Sequence, residues 1–363
     1  GAFGGDYDNW GWPQHKGDFT LYRVYADAEG RPAKYSAGNV PLKPRRVLRI
    51  ATGGVHDGDF AMVIGFPGHT NRYASSFAVA EKQRVKNPVV VANRHDRMDI
   101  LKRHMERDPK VRMKYSDSYF GLSNYADYAK WENKCLCRFD VESIRKAEEE
   151  RLQRWIEADS ARRAENGGLL ADLERGYEGR RAAERSLNYF REAWLGPSEA
   201  LLVANRVSSY LGKLDRLKLD SLKIDSKDAQ SVVAGSGRLR RNYDVETDRD
   251  LLAKMIVNFT KHVPREMWGE QLTEMYDAAG GDADRMAREA FDASFCSDPD
   301  RYDAYFERNR SVAEMRRDPL VRLTESVRVQ RFTGGVDKAE RRVRAQVGKA
   351  ESRYAGPLYD FRA

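Results

Sequence analysis

The sequence predicts an α+β chain that is predominantly α-helical, with a β segment over residues 1–73 and a helical domain over residues 74–363. Up to about residue 73, apolar residues occur in short runs punctuated by glycine turns, which is typical of β-strands. From there on they recur at three- and four-residue spacing with charges between them, which indicates amphipathic helices. A chain of 363 residues also exceeds one typical core, so two domains are expected.

The β segment contains three predicted strands. Residues 19–26 alternate aromatic or aliphatic side chains with polar ones, and residues 27–32 form a turn. Two shorter apolar runs follow at residues 47–51 and 60–66, with glycine turns between them. Short strands with this punctuation are typical of part of a β-barrel, but three or four strands are too few to close one. We therefore expect this segment to need partner strands.

The helical domain is predicted to hold nine amphipathic helices. They cover residues 96–107, 140–164, 169–195, 198–217, 248–262, 265–278, 282–294, 302–315 and 337–354. Asp-Pro pairs at residues 108–109, 298–299 and 318–319 combine an N-cap carboxylate with a proline at the first helical position, so each predicts a helix start.

Composition disfavours several functional classes. The 64 Lys and Arg residues exceed the 56 Asp and Glu residues and give a net charge of +8, but the two signs are interleaved along the helices, as at residues 146–151. Interleaving is typical of solvated helix faces, whereas a nucleic-acid binder would gather Lys and Arg on one face. No apolar run reaches the roughly 18 residues that span a bilayer, and no signal peptide is visible.

The three cysteines, Cys135, Cys137 and Cys296, are odd in number and have no repeated spacing, which argues against a disulfide framework and against a zinc site. Cys135 and Cys137 are either a redox pair or small residues that pack between helices, and packing is the favoured interpretation. The cysteines therefore do not determine the cellular compartment.

The stretch richest in chemistry is residues 4–19, where three Asp, one Asn, one His and two Trp stand among glycines. Glycine permits positive φ, and tryptophan supplies a rigid apolar wall, so short polar side chains between them can be aimed. Asp6, Asp8 and Asn9 imitate the start of a calcium loop, but Gly17 stands where such a loop needs Glu, which disfavours calcium. Because the chain begins inside this motif, we expect it to be an internal piece of a longer protein.

Two long motifs carry a family resemblance. Phe3-Gly4-Gly5-Asp6-x-Asp8-Asn9-Trp10-x-Trp12-Pro13 is followed by His15-x-Gly17-Asp18-Phe19, and a second motif occupies residues 58–72. With its helical remainder, the whole chain resembles the bacterial serine dipeptidyl-peptidases of the seven and eleven type. The resemblance implies a chymotrypsin-like double β-barrel with a large inserted helical domain. Residues 1–73 would be part of the first barrel, and residues 74–363 would be the insert.

Asp18 is the candidate catalytic residue. It stands between a glycine and a predicted strand, where a carboxylate can be fixed against the backbone and directed at an imidazole. In a Ser-His-Asp triad the acid holds the histidine tautomer and stabilises the imidazolium. The resemblance implies this role, because Asp18 matches the triad aspartate of the family. The alternative is a turn aspartate that accepts neighbouring amide N–H groups.

Asn9, Trp10 and Asn124 are the candidates for binding the amino terminus of a substrate. An enzyme that removes dipeptides must recognise a free α-ammonium, and an asparagine oxygen accepts one of its N–H bonds at less desolvation cost than a second carboxylate. The resemblance implies this role for all three residues, and we expect the Asn9 and Asn124 side chains to lie within ~10 Å of each other. The alternatives are an Asx-turn with a buried Trp10 and a helix N-cap at Asn124.

The chain also departs from the family pattern. Gln14 stands where relatives commonly have Arg, so it lacks the permanent charge and bidentate fork of that side chain, and His15 is interpreted as structural. The resemblance places the catalytic histidine before this segment and the nucleophilic serine after it, in a Gly-Asn-Ser-Gly-Ser-Pro-like loop that this sequence does not contain. We therefore expect the chain by itself not to hydrolyse peptides.

The resulting hypothesis is a secreted or periplasmic serine dipeptidyl aminopeptidase that acts on peptides with a free amino terminus through an acyl-enzyme. The helical domain would be a lid at the far end of the substrate cleft. We expect a homodimer and no cofactor, metal, nucleic-acid partner or membrane span. The alternative is a non-catalytic helical interaction module, in which Asp18, Asn9 and Asn124 would share no cleft. Residue preference beside the scissile bond stays open.

Overall fold

A computed structural model describes residues 2–3, 10–11, 13, 15, 17–50, 52–62, 65, 71, 73–194, 196–218, 227–308, 311–333 and 335–362. For residues 2–3, 18, 228, 328–333 and 335–344 only the backbone is described. The chain divides into two compact units. The N-terminal unit comprises Gly1–Gly5 and Pro13–Arg72, and the helical unit comprises Asp6–Trp12 and Tyr73–Ala363.

The N-terminal unit contains two short antiparallel ribbons among its described residues. Strand β1 (Ala2–Phe3) pairs with β2 (Gly17–Asp18), with Ala2 opposite Asp18. Strand β3 (Tyr25–Ala26) pairs with β4 (Val40–Pro41), with Ala26 opposite Val40. The predicted turn after β3 is confirmed, because Oδ1 of Asp27 accepts the amide N–H groups of Glu29 and Arg31.

The strands predicted for this unit are longer than the strands that the structure describes. Of residues 19–26, only the last two form a strand. The other two predicted strands are described in part, at residues 47–50, 60–62 and 65. None of these described residues pairs with another strand. A strand needs a neighbouring backbone to satisfy its N–H and C=O groups, and these stretches have none among the described residues. Their apolar side chains therefore face water: Leu48 is 92% exposed and Phe60 is 89% exposed.

The helical unit confirms the predominantly α-helical class. Its described α-helices are α1 (Ser76–Glu81), α2 (Asn87–Arg107), α3 (Pro109–Arg138), α4 (Val141–Glu157), α5 (Ser160–Asn166), α6 (Leu169–Trp194), α7 (Glu199–Leu217), α8 (Lys227–Val233), α9 (Ser236–Leu239), α10 (Val245–His262), α11 (Glu270–Ala278), α12 (Ala283–Ala293), α13 (Pro299–Arg308), α14 (Val312–Met315), α15 (Pro319–Thr333) and α16 (Gly335–Arg362). A π-helical turn, Lys82–Lys86, joins α1 to α2, and single 3₁₀ turns lie at Arg265–Met267 and Phe295–Ser297.

The three helix starts predicted from Asp-Pro pairs are confirmed, at α3, α13 and α15. The Asp108 carboxylate accepts the amide N–H of Lys110 at 2.7 Å. Asp298 and Asp318 likewise accept amide N–H groups in the first turns of α13 and α15, at 2.8 to 3.0 Å. Each proline occupies a position whose N–H would have had no partner within the helix.

Two predicted helices are each divided in the structure. The prediction of one helix over residues 140–164 is wrong because Asp159 caps a new helix, accepting the amide N–H of Arg162 at 2.8 Å, so α4 ends and α5 begins. Residues 302–315 are likewise divided between α13 and α14, and Ser311 is the N-cap of α14. Side chains that bond the backbone locally compete with helix continuation, and apolar spacing alone does not reveal this.

The core of the helical unit consists of three clusters among the described side chains. The largest joins the C-terminal part of α6 to α7, α10, α12 and α15, and its fully buried members include Leu211 and Phe259. The second joins α4, α6 and α16 around Leu152 and Tyr354. The third joins α2 and α3 to Leu251 of α10. Burying each large aliphatic or aromatic side chain contributes roughly 1.5–3 kcal/mol, so these clusters fix the packing of the helices.

Helices α2 and α3 form a hairpin, because Asp108 alone separates them and they pack along each other. Its inner side contributes Ile100, Leu101, Val111 and Leu122 to the third cluster. This packing leaves other faces of α3 accessible. None of the described helices combines the length and the apolar character that crossing a membrane requires.

Candidate functional site

Trp10 and Asn124, which are 114 residues apart in sequence, are in direct contact. The indole Nε1 of Trp10 donates a hydrogen bond to Oδ1 of Asn124 at 2.9 Å. Both residues belong to the helical unit. Trp10 has a φ of 64° and is 56% exposed, so the alternative of a buried Trp10 is wrong. Asn124 lies in the middle of α3, so the alternative of a helix N-cap is wrong as well.

Tyr128 continues the site along α3. Asn124, Tyr128 and Glu132 follow one another at four-residue spacing and therefore share a helix face. The ring of Tyr128 meets the ring of Trp10 edge-on, with centroids 5.2 Å apart and planes at 73°. Its hydroxyl donates to Oε1 of Glu132 at 3.0 Å. Partial burial and the Glu132 carboxylate raise the pKa of Tyr128, so the hydroxyl keeps its proton and remains a donor.

Glu132 ties this face to the preceding elements. Its Oε1 also accepts from Nζ of Lys82, on the π-helical turn, at 2.5 Å. Its Oε2 accepts from Nδ2 of Asn87, the first residue of α2, at 3.0 Å. The Glu132 side chain is only 19% exposed, so these charge-assisted bonds are little screened by water. The carboxylate therefore holds the Tyr128 hydroxyl in place, and Tyr128 supports the ring of Trp10.

Helix α2 is in turn anchored to α6 and to Gly196, which lies just beyond the C-terminal end of α6. The Arg94 guanidinium makes a bidentate pair with Glu192, with contacts of 3.1 to 3.3 Å, and lies over the ring of Tyr125 at 5.1 Å. Arg97 donates to the carbonyl oxygen of Gly196 at 2.9 Å, and burial lowers the pKa of its guanidinium to about 10. These contacts fix the α2–α3 hairpin, and with it the face that carries Asn124.

Trp10, Asn124 and Tyr128 together form what we term the amide-aromatic site. An amide oxygen has two lone pairs, and at Asn124 one accepts the Trp10 N–H, which leaves acceptor capacity for a second donor. The exposed rings of Trp10 and Tyr128 offer π faces, which attract cations. The arrangement therefore suits a primary ammonium group, with one neutral acceptor and aromatic walls.

The roles predicted for Asp18 and Asn9 are not tested by the described part of the structure. Asp18 lies in β2 of the N-terminal unit, but its side chain is outside the described residues, so its catalytic role stays a prediction. Asn9 and Gln14 also lie outside the described residues, so the predicted approach of Asn9 to Asn124 stays untested. His15 is exposed.

The structure describes neither a metal centre nor a disulfide. Among the described residues, no group of three or more His, Cys, Asp or Glu side chains is arranged to hold a metal ion. Cys135 and Cys137 are exposed thiols on α3, whereas Cys296 is buried. The interpretation of the cysteines as packing residues is therefore wrong for Cys135 and Cys137.

Sequence reasoning missed Tyr128 and Glu132. A signal for them exists, because they lie four and eight residues after Asn124. Reading that spacing requires recognising α3 as a continuous helix through this region, and its many Tyr, Ser and Asn residues obscured the helical period.

Comparisons with known proteins agree on one family. The sequence model described as Peptidase S46 matches residues 1–363. A dipeptidyl-peptidase 7 of Capnocytophaga gingivalis is 30% identical over 333 residues, which cover 89% of this chain and 44% of that protein. An Asp/Glu-specific dipeptidyl-peptidase of Porphyromonas gingivalis is 31% identical over 340 residues, which cover 90% of this chain and 45% of that protein.

Solved structures give the same result. The crystal structure of Porphyromonas endodontalis DPP11 in complex with the dipeptide Arg-Asp matches with a TM-score of 0.78 and 26% identity, covering 99% of this chain and 50% of that one. The same protein in an alternate conformation matches with a TM-score of 0.62 and 22% identity, which supports the fold alone. The chain thus spans about half the length of the relatives that it matches.

Proposed function

Because the chain belongs to the peptidase S46 family, we propose that it functions in the release of dipeptides from the free amino terminus of peptides. The observation that carries the proposal is the hydrogen bond between Trp10 and Asn124. The resemblance implies that both residues bind the amino terminus of a substrate, and they meet across 114 residues of sequence. A non-catalytic helical module offers no reason for this contact.

In this proposal the amide-aromatic site binds the substrate ammonium. Oδ1 of Asn124 accepts one ammonium N–H, and the rings of Trp10 and Tyr128 stabilise its charge. Asn9, the neighbour of Trp10 in sequence, supplies a second amide acceptor. Because the ammonium is held at a fixed distance from the reacting groups, the peptide bond after the second residue is the one that is cleaved. An acetylated amino terminus lacks the charge and two of the three N–H donors, so it should be rejected.

Asp18 is proposed to be the acid of a Ser-His-Asp triad. Serine attacks the second peptide carbonyl while histidine takes its proton, and the carboxylate of Asp18 orients the imidazole and stabilises its protonated form. Water then hydrolyses the acyl-enzyme. The serine and histidine motifs that the resemblance implies do not occur in these 363 residues, so we propose that the chain alone does not catalyse the reaction.

Further features of the proposal rest on the resemblance. The helical unit acts as a lid that excludes longer N-terminal extensions, which makes the enzyme an exopeptidase. The protein works as a homodimer outside the cytoplasm, in the periplasm or secreted, and needs no cofactor.

The test is hydrolysis of fluorogenic dipeptidyl amides by the full-length gene product and by its Asn124→Ala variant. We expect release of the fluorophore from substrates with a free amino terminus, no release from their acetylated forms, and a loss of about 10- to 100-fold in kcat/KM for Asn124→Ala, the value of one hydrogen bond to a charged group. Asn133→Ala, on another face of α3, is the matched control and should retain activity. Equal cleavage of free and acetylated substrates would contradict the proposal, and so would full activity in Asn124→Ala.

A further inference from the structure

A groove of about 900 Å³ lies between α2 and α3. Its α3 side is formed by Lys130, Asn133, Lys134, Cys137 and Arg138, and its α2 side by Asn87, Pro88, Val91 and Ala92. Lys130 and Lys134 each lie two positions after a residue of the other face, Tyr128 and Glu132, and Arg138 continues their four-residue spacing. Two positions along an α-helix correspond to a rotation of about 200° around its axis. The groove therefore lies on a different side of α3 from the amide-aromatic site.

Three cations of the groove lack anionic partners. Lys130, Lys134 and Arg138 are exposed, and no carboxylate of the described residues pairs with them. The ammonium groups of Lys130 and Lys134 lie 5.6 and 4.3 Å from the centre of the Trp131 ring. On α2, by contrast, Arg94, Arg97, Lys102 and Arg107 each lie within 4.0 Å of a carboxylate oxygen. The groove thus combines uncompensated positive charge with the apolar side chains of Pro88, Val91 and Ala92.

The spacing of the cations indicates the form of the ligand. Residues four apart on a helix are separated by about 6 Å along its axis. Alternate residues of an extended peptide point to the same side and are separated by about 6.6 to 6.8 Å. Three carboxylates at alternate positions of an extended chain would therefore match Lys130, Lys134 and Arg138, while the small side chains between them would face Pro88, Val91 and Ala92.

We propose that this groove, lined by α2 and α3, binds an extended peptide segment that carries acidic residues at alternate positions. A peptide fits better than a single-stranded nucleic acid, because the apolar wall is made of Pro, Val and Ala and offers no aromatic ring for bases to stack on. The ring of Trp131 is already covered by two lysines. This inference does not depend on the proposed peptidase activity.

Binding is tested by fluorescence anisotropy with a labelled peptide that alternates Glu and Ala. The 363-residue chain should bind it, and a peptide of the same composition with its Glu residues contiguous should bind at least about fivefold more weakly. The double variant Lys130→Glu, Lys134→Glu should lose at least about tenfold in affinity. The matched control is Lys110→Glu, Arg112→Glu, which makes the same change in net charge at the other end of α3 and should change affinity less than about twofold.

Cys137 gives a second measurement that does not rely on charge reversal. It lines the groove, whereas Cys135 is exposed on the same helix and is not part of the groove lining. Saturating alternating peptide should slow alkylation of Cys137 by iodoacetamide several-fold and leave Cys135 unchanged, as read by mass spectrometry.

Several results would overturn the inference. One is equal affinity for the alternating and contiguous peptides. Another is equal loss of affinity in the two double variants. A third is equally tight binding of an oligothymidylate of the same charge. Self-association that is abolished by the groove variant, without any peptide binding, would identify a second copy of the chain as the occupant and would also overturn it.

Discussion

In the helical unit, backbone hydrogen bonds close within each helix, and apolar side chains meet those of neighbouring helices in three clusters. In the N-terminal unit, the described strands are two residues long, and Ala26 is the buried apolar residue among the described side chains of residues 17–62. Leu48 and Leu211 illustrate the contrast, since the first is 92% exposed and the second is fully buried.

The comparison shows how the two kinds of secondary structure depend on their surroundings. A helix satisfies its own polar backbone, so an amphipathic pattern needs only a neighbouring apolar surface. A strand cannot satisfy its backbone alone, so alternating apolar residues form a strand only where a second backbone lies alongside. Stability should therefore reside in the helical unit, whereas the N-terminal unit is proposed to supply Asp18.

The largest expected effect separates chemistry from stability. Asp18→Asn in the full-length gene product should lower kcat by about 10⁴-fold, because an amide at this place favours the wrong histidine tautomer. The midpoint of urea unfolding should not change. Steady-state kinetics with a fluorogenic dipeptidyl amide measures the loss. Asp59→Asn, in the same unit, is the control, and a loss below tenfold for Asp18→Asn would show that Asp18 is not the triad acid.

The second prediction concerns a buried carboxylate of the helical unit. Asp248 accepts hydrogen bonds from the Ser198 hydroxyl at 2.7 Å and from the amide N–H groups of Glu199 and Ala200 at 2.7 and 3.0 Å. These donors favour the charged carboxylate, but complete burial dominates and raises the pKa of Asp248 from 3.8 to about 7.

The sign of the pH dependence follows from this shift. Between pH 4 and pH 7 the folded protein holds a proton at Asp248 that the unfolded chain has lost, so the free energy of unfolding should fall as pH rises, by about 4 kcal/mol over the whole range. Urea unfolding from pH 4 to pH 8 measures it. Asp248→Asn should lack this component, whereas the exposed Asp99→Asn should keep it. Parallel curves for the wild type and Asp248→Asn would mean that the three donors keep the carboxylate ionised.

The third prediction compares one leucine from each unit. Leu211→Ala removes a fully buried side chain from the largest cluster and should lower the free energy of unfolding by about 3 kcal/mol, through lost burial and a residual cavity. Leu48→Ala removes an exposed side chain and should change it by less than about 0.5 kcal/mol. Equilibrium unfolding in urea, followed by circular dichroism, measures both. Similar losses would show that Leu48 is buried in solution.

The smallest effect concerns backbone strain in the helical unit. Lys218 follows α7 with a φ of 53°, a left-handed conformation that glycine adopts without steric cost. Lys218→Gly should therefore raise the free energy of unfolding by about 0.5–1 kcal/mol. Ser209→Gly, at an exposed position inside α7, should lower it by a similar amount. The same urea experiment measures both, and destabilisation by Lys218→Gly would indicate that the lysine side chain makes a stabilising contact.

Local chemistry was sufficient to determine much of the helical unit from the sequence. The three- and four-residue spacing of apolar residues predicted α6, α7 and α12 to within about two residues, and each Asp-Pro pair marked a helix start, because capping depends on neighbours in the chain. The pairing of Asn124 with the N-terminal motif came from a family resemblance and not from periodicity, and the structure brings Trp10 to it.

Tertiary structure alone decided the rest. The alternation at residues 19–26 has the local signature of a strand, yet only a neighbouring backbone determines whether a strand forms. The contacts of Trp10 with Asn124 and Tyr128, and of Glu132 with Lys82 and Asn87, depend on how the α2–α3 hairpin packs. Sequence spacing specifies which residues share a helix face, whereas the partners of that face are set by packing between segments that are distant in the chain.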